Sequence, residues 1–163
     1  WWSWPFNLYP VWFFVDYNNE VVSSFAYKEG QVIANIFAGG NPMIFWTGFL
    51  AIIFCIWDFF KTKASSLGII LFAYFIFFLP WAISPRIMFL YHYLPSTPFL
   101  ILALSYQLDK LMYDSSSKKV VFLLLCLITL TFLIIYPFLT ALPLPEKFLQ
   151  LFFFTNITKN PFS

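Results

Sequence analysis

The chain has 163 residues, of which 61% are hydrophobic, 25% aromatic and only 10% charged, with a formal net charge of +2. That leaves too little polar surface to wrap a water-soluble globule, so the composition is that of an integral, multi-pass membrane protein. The few cations are scattered and form no basic stripe along a polar face, which argues against nucleic acid as a partner.

The chain opens on Trp1 in a tryptophan-rich stretch, with no basic segment leading into a short apolar core. No signal peptide is visible, and the expectation is a piece of a longer polypeptide. Residues 1–42 are expected to form an extracytoplasmic interfacial segment, because Asp16, Asn18, Asn19, Glu20, Lys28, Glu29 and Gly30 interrupt them at short intervals. Residues 11–17 and 31–37 are rich in β-branched and aromatic side chains beside turn formers, which predicts short strands. Trp1, Trp2, Trp4 and Trp12 suit the headgroup layer, where amphipathic rings concentrate. At Gly40-Asn41-Pro42 the glycine permits unusual backbone angles, and asparagine is placed to cap a helix that Pro42 begins.

Four apolar segments within residues 43–142 fall in the range of ~17 to 25 residues that spans hydrocarbon. They cover approximately residues 43–60, 67–83, 87–108 and 120–142. The expected fold is therefore an all-α membrane protein of four transmembrane helices with a small extracytoplasmic element at its N-terminal end. Lys61 and Lys63 lie in one connector, Lys110, Lys118 and Lys119 in another, and Arg86 alone in the third. The positive-inside rule then places the lysine connectors in the cytoplasm and the Arg86 turn outside. Residues 143–163 form an extracytoplasmic or interfacial tail. Its Asn156-Ile157-Thr158 matches a glycosylation acceptor triplet, a short pattern that recurs by chance.

The most unusual segment is Ser84-Pro85-Arg86 through Pro98-Phe99, which puts the only arginine and the only histidine into apolar sequence. Ionisable groups at membrane depth are candidates for function. Ser84-Pro85 has the grammar of a helix start. A cation in the first helical turn opposes the peptide dipoles unless an anion binds there. With an anion, free amides, dipole and forked guanidinium all suit phosphate oxygens. Arg86 is thus either a phosphate-gripping residue or an arginine snorkelling to the headgroups. On a regular helix His92 lies about 9 Å deeper and about 120° round from Arg86, with Tyr93 nearly on Arg86's face. His92 reads as a ligand group or as a neutral histidine bonded to a neighbouring helix. Tyr91 and Tyr93 are either donors to phosphate and sugar or interface anchors. Pro95 and Pro98 either kink the span to shape a cavity or accommodate packing.

Elsewhere the residues read as structural. Cys55 and Cys126 behave as small packing side chains, and one histidine offers no metal-ligand set. Asp16, Glu20 and Glu29 lack a partner that would make them an acid or base. Asp58, Asp109 and Asp114 sit among lysines as ion-paired or hydrated groups. No phosphate loop, nucleophile elbow or metal-binding helix pair is present, so the sequence names no catalytic residue, metal or cofactor.

Three blocks occur in order: Trp2-Ser3-Trp4-Pro5 with Tyr9-Pro10; Gly40-Asn41-Pro42 with Trp46; and Pro85-Arg86, Phe89, Tyr91-His92-Tyr93, Pro95-Ser96 and Pro98-Phe99. Together they resemble the C-terminal four-span region of the protein O-mannosyltransferases, over nearly the whole chain. The resemblance implies a GT-C type membrane glycosyltransferase that moves mannose from a polyprenyl or dolichyl phosphate carrier to serine or threonine of exported proteins. It implies that Arg86, His92, Tyr91 and Tyr93 line the site of the lipid-phosphate donor, and that no metal is needed. The acidic residues credited with activating the acceptor belong upstream of Trp1, so this stretch alone is expected to be inactive. The membrane would be the plasma membrane in a bacterium and the endoplasmic reticulum in a eukaryote. Two other readings stand beside it: a related transferase acting on a lipid or glycan, and a non-catalytic membrane subunit.

Overall fold

The computed structural model describes residues 1–7, 11–15, 32–85, 88–142 and 144–145. Arg86 and Ile87, the carboxylates Asp16, Glu20 and Glu29, and the tail 146–163 with its Asn156 triplet lie outside the described residues. The chain divides into two compact units, residues 1–11 with 39–133 and residues 12–38 with 134–163.

In the first unit, helix α1 (Pro42–Thr62) starts as the sequence predicts. The Asn41 side chain accepts from the backbone N–H of Met43 at 3.0 Å and Ile44 at 3.4 Å, and Pro42 occupies the first helical turn. Gly40 does not adopt the unusual backbone angles expected of it. Its need for glycine is steric, since a Cβ there would sit 2.1 Å from the Phe45 ring. The helix ends at Lys63, whose left-handed φ of 50° lets its N–H reach Phe59 O at 2.8 Å. Only Lys63 and Ala64 join it to α2 (Ser65–Phe78), which makes the two a hairpin. Pro80 cannot donate to the carbonyl four residues back, so α2 tightens into a 3-10 turn at Leu79–Ala82.

Helix α3 covers Thr97–Met112 and α4 covers Ser115–Leu139. Asp114 caps α4, accepting from the Ser117 N–H at 3.0 Å. Among the described residues, Pro42–Thr62, Ser65–Ala82 and Ser117–Leu139 are long and apolar enough to cross a membrane. The remaining expected span is a composite, because a 3-10 segment of 7 residues at Leu90–Ser96 runs directly into the 16 residues of α3. At rises of ~2.0 and ~1.5 Å per residue the composite is roughly 38 Å long, enough for a hydrocarbon core of ~30 Å.

Lipid tails are as apolar as leucine, so close packing and interhelical hydrogen bonds must hold the spans together. The packing supplies both. Gly48, Ala51, Ile52 and Cys55 form a buried stripe on α1, and Leu100, Ala103 and Leu104 are buried on α3. At Gly48 the approach is so close that a Cβ would lie 2.6 Å from Leu100 Cγ. On α2 the buried stripe is Leu67, Leu71, Tyr74 and Phe78, at the 4-3-4 spacing of one helical face. The opposite faces are apolar and exposed, as lipid requires: Phe54 and Trp57 on α1, Ile69 and Phe72 on α2, and Phe122 and Leu133 on α4.

Toward the lysine-bearing end, Asp58 Oδ2 accepts from Lys110 Nζ at 2.7 Å and Gln107 Nε2 at 2.9 Å. The Gln107 amide also lies 3.4 Å from the buried Cys55 thiol, which itself donates to Ala103 O at 3.7 Å. Asp58 is ion-paired and Cys55 buried, as expected, whereas Cys126 is exposed on α4 rather than packed.

In the second unit strand β1 (Val11–Val15) pairs with β3 (Asn35–Ala38), and β2 (Val32–Ile33) pairs antiparallel with β4 (Leu144–Pro145). The first three strands fall in the β-branched, aromatic runs that predicted them. Phe37 and Phe138 are buried, with ring centroids 6.5 Å apart.

Candidate functional site

The segment that carries the aromatic-His-aromatic triplet owes its shape to Pro95 and Pro98. Neither can donate the bond an α-helix needs, to the Tyr91 and Leu94 carbonyls respectively, so the chain there winds as a 3-10 helix until α3 begins at Thr97. Thr97 supports the junction by donating its hydroxyl to Tyr93 O at 3.1 Å. With three residues per turn, positions i and i+3 eclipse. Leu90, Tyr93 and Ser96 accordingly form one buried edge, and Tyr91 and His92 are turned to other faces.

Two expectations are thereby corrected. Ser84-Pro85 does not start the third span: both residues are non-helical, Met88 and Phe89 are too, and helical structure resumes at Leu90. The α-helical relation drawn from Arg86 to His92 and Tyr93 fails with it, because the triplet sits on a 3-10 period. Arg86 itself lies outside the described residues.

Tyr93 is 1% exposed. Its hydroxyl is 2.8 Å from that of Tyr74 on α2, and its ring meets the edges of Phe45 and Phe78, with centroids 5.4 Å away in each case. Burial and a satisfied hydroxyl make Tyr93 the post on which the triplet stands. Ser96, next on the same edge, is fully buried, and its Oγ has no hydrogen-bond partner among the described residues.

His92 is half-buried in an aromatic surround. Tyr91 stacks on it at 4.3 Å, Trp81 meets it edge-on at 4.4 Å, and Trp4 lies nearly parallel at 6.2 Å. Its Nδ1 lies 3.3 Å from Phe89 N and 3.0 Å from Phe89 O, which fixes the ring at the mouth of the 3-10 segment. Tyr91 is 47% exposed and also stacks on Phe89 at 5.6 Å. The exposed face of the triplet is therefore Tyr91 with the His92 ring beside it.

Trp4 corrects a third expectation. Placed by its residue type in the headgroup layer, it is instead 3% exposed, packed on Trp81, His92 and Tyr93. The short 3-10 turn Trp4–Phe6 that carries it is tied down by Asn7. The Asn7 amide donates to Gly40 O at 3.0 Å and its carbonyl oxygen accepts from Gly40 N at 3.2 Å. Trp46 Nε1 donates to Phe6 O at 3.1 Å, a second tie to α1. Trp2 is exposed, as an interfacial ring should be.

The structure thus brings Tyr91, His92 and Tyr93 together on one short element and adds two residues that sequence reasoning missed as partners, Tyr74 and Trp81. The 4-3-4 spacing of Leu67, Leu71, Tyr74 and Phe78 was the available signal for Tyr74. The arrangement presents the exposed Tyr91 ring and the half-buried His92 ring on a support of buried aromatic side chains. Among the described residues no cluster of three or more His, Cys, Asp or Glu side chains is placed to hold a metal ion.

Residues 1–150 match the family described as the C-terminal four-transmembrane region of protein O-mannosyltransferase. Curated relatives include polyprenol-phosphate-mannose–protein mannosyltransferases of Mycobacterium tuberculosis (strain ATCC 25618 / H37Rv), 26% identical over 90% of this chain, and of Mycolicibacterium smegmatis (strain ATCC 700084 / mc(2)155), 26% identical over 89%. The chain spans about 29% of the length of these relatives. No solved structure matches it.

Proposed function

The chain belongs to the family of the C-terminal four-transmembrane region of protein O-mannosyltransferases, and from that premise we propose that it forms the donor-side part of a membrane glycosyltransferase. In this reading mannose passes from a polyprenyl-phosphate carrier to serine or threonine hydroxyls of exported proteins. Arg86 pairs with the donor phosphate, and Tyr91 and His92 flank it. Tyr93, with its hydroxyl committed to Tyr74, holds these two in place from behind. The observation that supports this most directly is His92, the only histidine of the chain, held between Trp81 and Tyr91 on the segment that follows Arg86.

The chemistry divides accordingly. Sugar transfer from a phosphate carrier needs a base for the acceptor hydroxyl and stabilisation of the departing phosphate. This stretch supplies only the second, so by itself it transfers no sugar. The lysine connectors face the cytoplasm and the triplet faces outside, in the plasma membrane of a bacterium or the endoplasmic reticulum of a eukaryote.

The test uses the whole natural polypeptide that carries these residues, in membranes free of other protein mannosyltransferases, supplied with radiolabelled polyprenyl-phosphate mannose. Label is expected on protein serine or threonine, released by mild alkali, and to disappear with Arg86→Ala. Label appearing only on lipid or glycan would replace the acceptor assignment. Donor binding unchanged in a folded Arg86→Ala protein would remove the phosphate assignment.

A further inference from the structure

We propose that the lipid-facing side of α1, at its lysine-bearing end, is a binding site for one anionic phospholipid. Leu50 and Phe54 meet an acyl chain, Trp57 the ester region and Lys61 the phosphate, with Lys63 as a second cation for the headgroup. The site is separate from the donor-site reading and uses none of its residues.

The order of these residues along one face carries the argument. The side of α1 that packs inward is the stripe Gly48, Ala51, Ile52 and Cys55. Trp57 follows Cys55 by two residues, about 200° round a regular helix, and is 64% exposed. Leu50, Phe54 and Lys61 are exposed too, and with Trp57 they keep the 4-3-4 spacing of a single face. At ~1.5 Å per residue, Leu50 to Trp57 covers about 10 Å and Trp57 to Lys61 about 6 Å. One leaflet has ~15 Å of hydrocarbon and a headgroup layer of roughly 5–7 Å. The face therefore offers apolar surface, an amphipathic ring and a cation in the order and at the spacing in which a phospholipid presents chain, ester and phosphate.

Charge then selects the lipid. Lys61 Nζ lies 4.9 Å over the Trp57 ring, which holds the ammonium on the lipid-facing side. The carboxylate nearest in sequence, Asp58, is turned to α3, where it accepts from Gln107 and Lys110. Among the described residues neither Lys61 nor Lys63 makes an ion pair, and Trp57 Nε1 meets no acceptor. Two uncompensated cations and a free N–H at headgroup depth suit a headgroup of net negative charge. A zwitterionic headgroup brings its own ammonium to the same place and cancels part of the attraction. The simpler role for Lys61, complementing the negative end of α1, makes no demand on the lipid.

The whole natural polypeptide in detergent is titrated with phosphatidylglycerol or phosphatidylcholine, with bound lipid counted by native mass spectrometry and thermal unfolding followed alongside. Phosphatidylglycerol should bind at least tenfold more tightly and raise the unfolding midpoint. A lysine near a charged surface is worth about fivefold, so Lys61→Met with Lys63→Met should weaken phosphatidylglycerol tenfold or more and leave phosphatidylcholine unchanged. Lys61→Arg with Lys63→Arg should keep binding within about threefold of the parent. Trp57→Leu, which keeps both charges, should weaken both lipids about threefold. Lys118→Met with Lys119→Met should leave the tightest phosphatidylglycerol site intact, and an equal loss there would show diffuse surface charge and overturn the inference. A lower midpoint in both lipids with phosphatidylglycerol affinity unchanged in Lys61→Met would leave only the helix-end role and overturn it too. Displacement of phosphatidylglycerol by millimolar inorganic phosphate would replace the lipid with a soluble anion.

Discussion

The hydroxyls of Tyr74 and Tyr93 meet at 2.8 Å inside the first unit, joining the middle of α2 to the 3-10 segment Leu90–Ser96. Tyr93 stands between two residues of the proposed donor site and their support, so this contact connects interhelical packing to function. Removing either hydroxyl leaves the other buried without its partner. Tyr74→Phe and Tyr93→Phe should each lower stability by about 1 kcal/mol, as interhelical hydrogen bonds in membranes do. The double variant should lose less than the sum. Thermal unfolding in detergent across the four proteins gives the coupling, and strict additivity would mean the pair contributes nothing.

At the α1–α3 crossing, Gly48 has no room for a side chain, with Leu100 Cγ only 2.6 Å from where its Cβ would be. Gly48→Leu should destabilise by about 1–3 kcal/mol through overpacking. Adding Leu100→Ala should restore part of that loss. A fully stable Gly48→Leu protein would show that the helices cross elsewhere.

Pro95 and Pro98 force the 3-10 winding that separates Tyr91, His92 and Tyr93 onto three faces. Replacing both with alanine restores two backbone donors and allows an α-helix, so stability should hold or rise. Polyprenyl-phosphate binding should fall by about tenfold as Tyr91 and His92 turn away from their present directions. Intact binding would mean that the winding does not set the site.

Asp58 accepts from both Gln107 and Lys110. Its side chain is 14% exposed against 48% for Lys110. The lysine contact is largely solvated, so Lys110→Met should cost about 0.5 kcal/mol or less. Asp58→Ala strands the Gln107 amide beside the Cys55 thiol as well and should cost about 1–3 kcal/mol. The order of the two unfolding midpoints checks this, and an equal effect would assign all of the stabilisation to the ion pair.

Much of this was legible in the sequence for identifiable reasons. Asn41-Pro42 announces the start of α1 because a cap is a local event, decided by residues one to three positions apart. The strands at Val11–Val15 and Asn35–Ala38 follow from β-branched and aromatic runs. Ser84-Pro85 carries the local grammar of a helix start, yet Met88 and the extended Phe89 beyond it are non-helical, and no pattern in the intervening residues announces that. Farther on, the 3-10 winding puts Tyr93 on one buried edge with Leu90 and Ser96, a period of three that an α-helical reading of the segment does not contain. The place of Trp4 is not legible for a different reason: an indole fits both headgroups and a protein interior, and what decides is the presence of Trp81 and His92, far away in sequence.

Because only Lys63 and Ala64 separate α1 from α2, a connector of roughly 10 Å at full extension ties their ends together. The turn is too short to reach across a membrane by itself, so the two must run through the bilayer in opposite directions, and any change that inverts the orientation of one inverts the other with it.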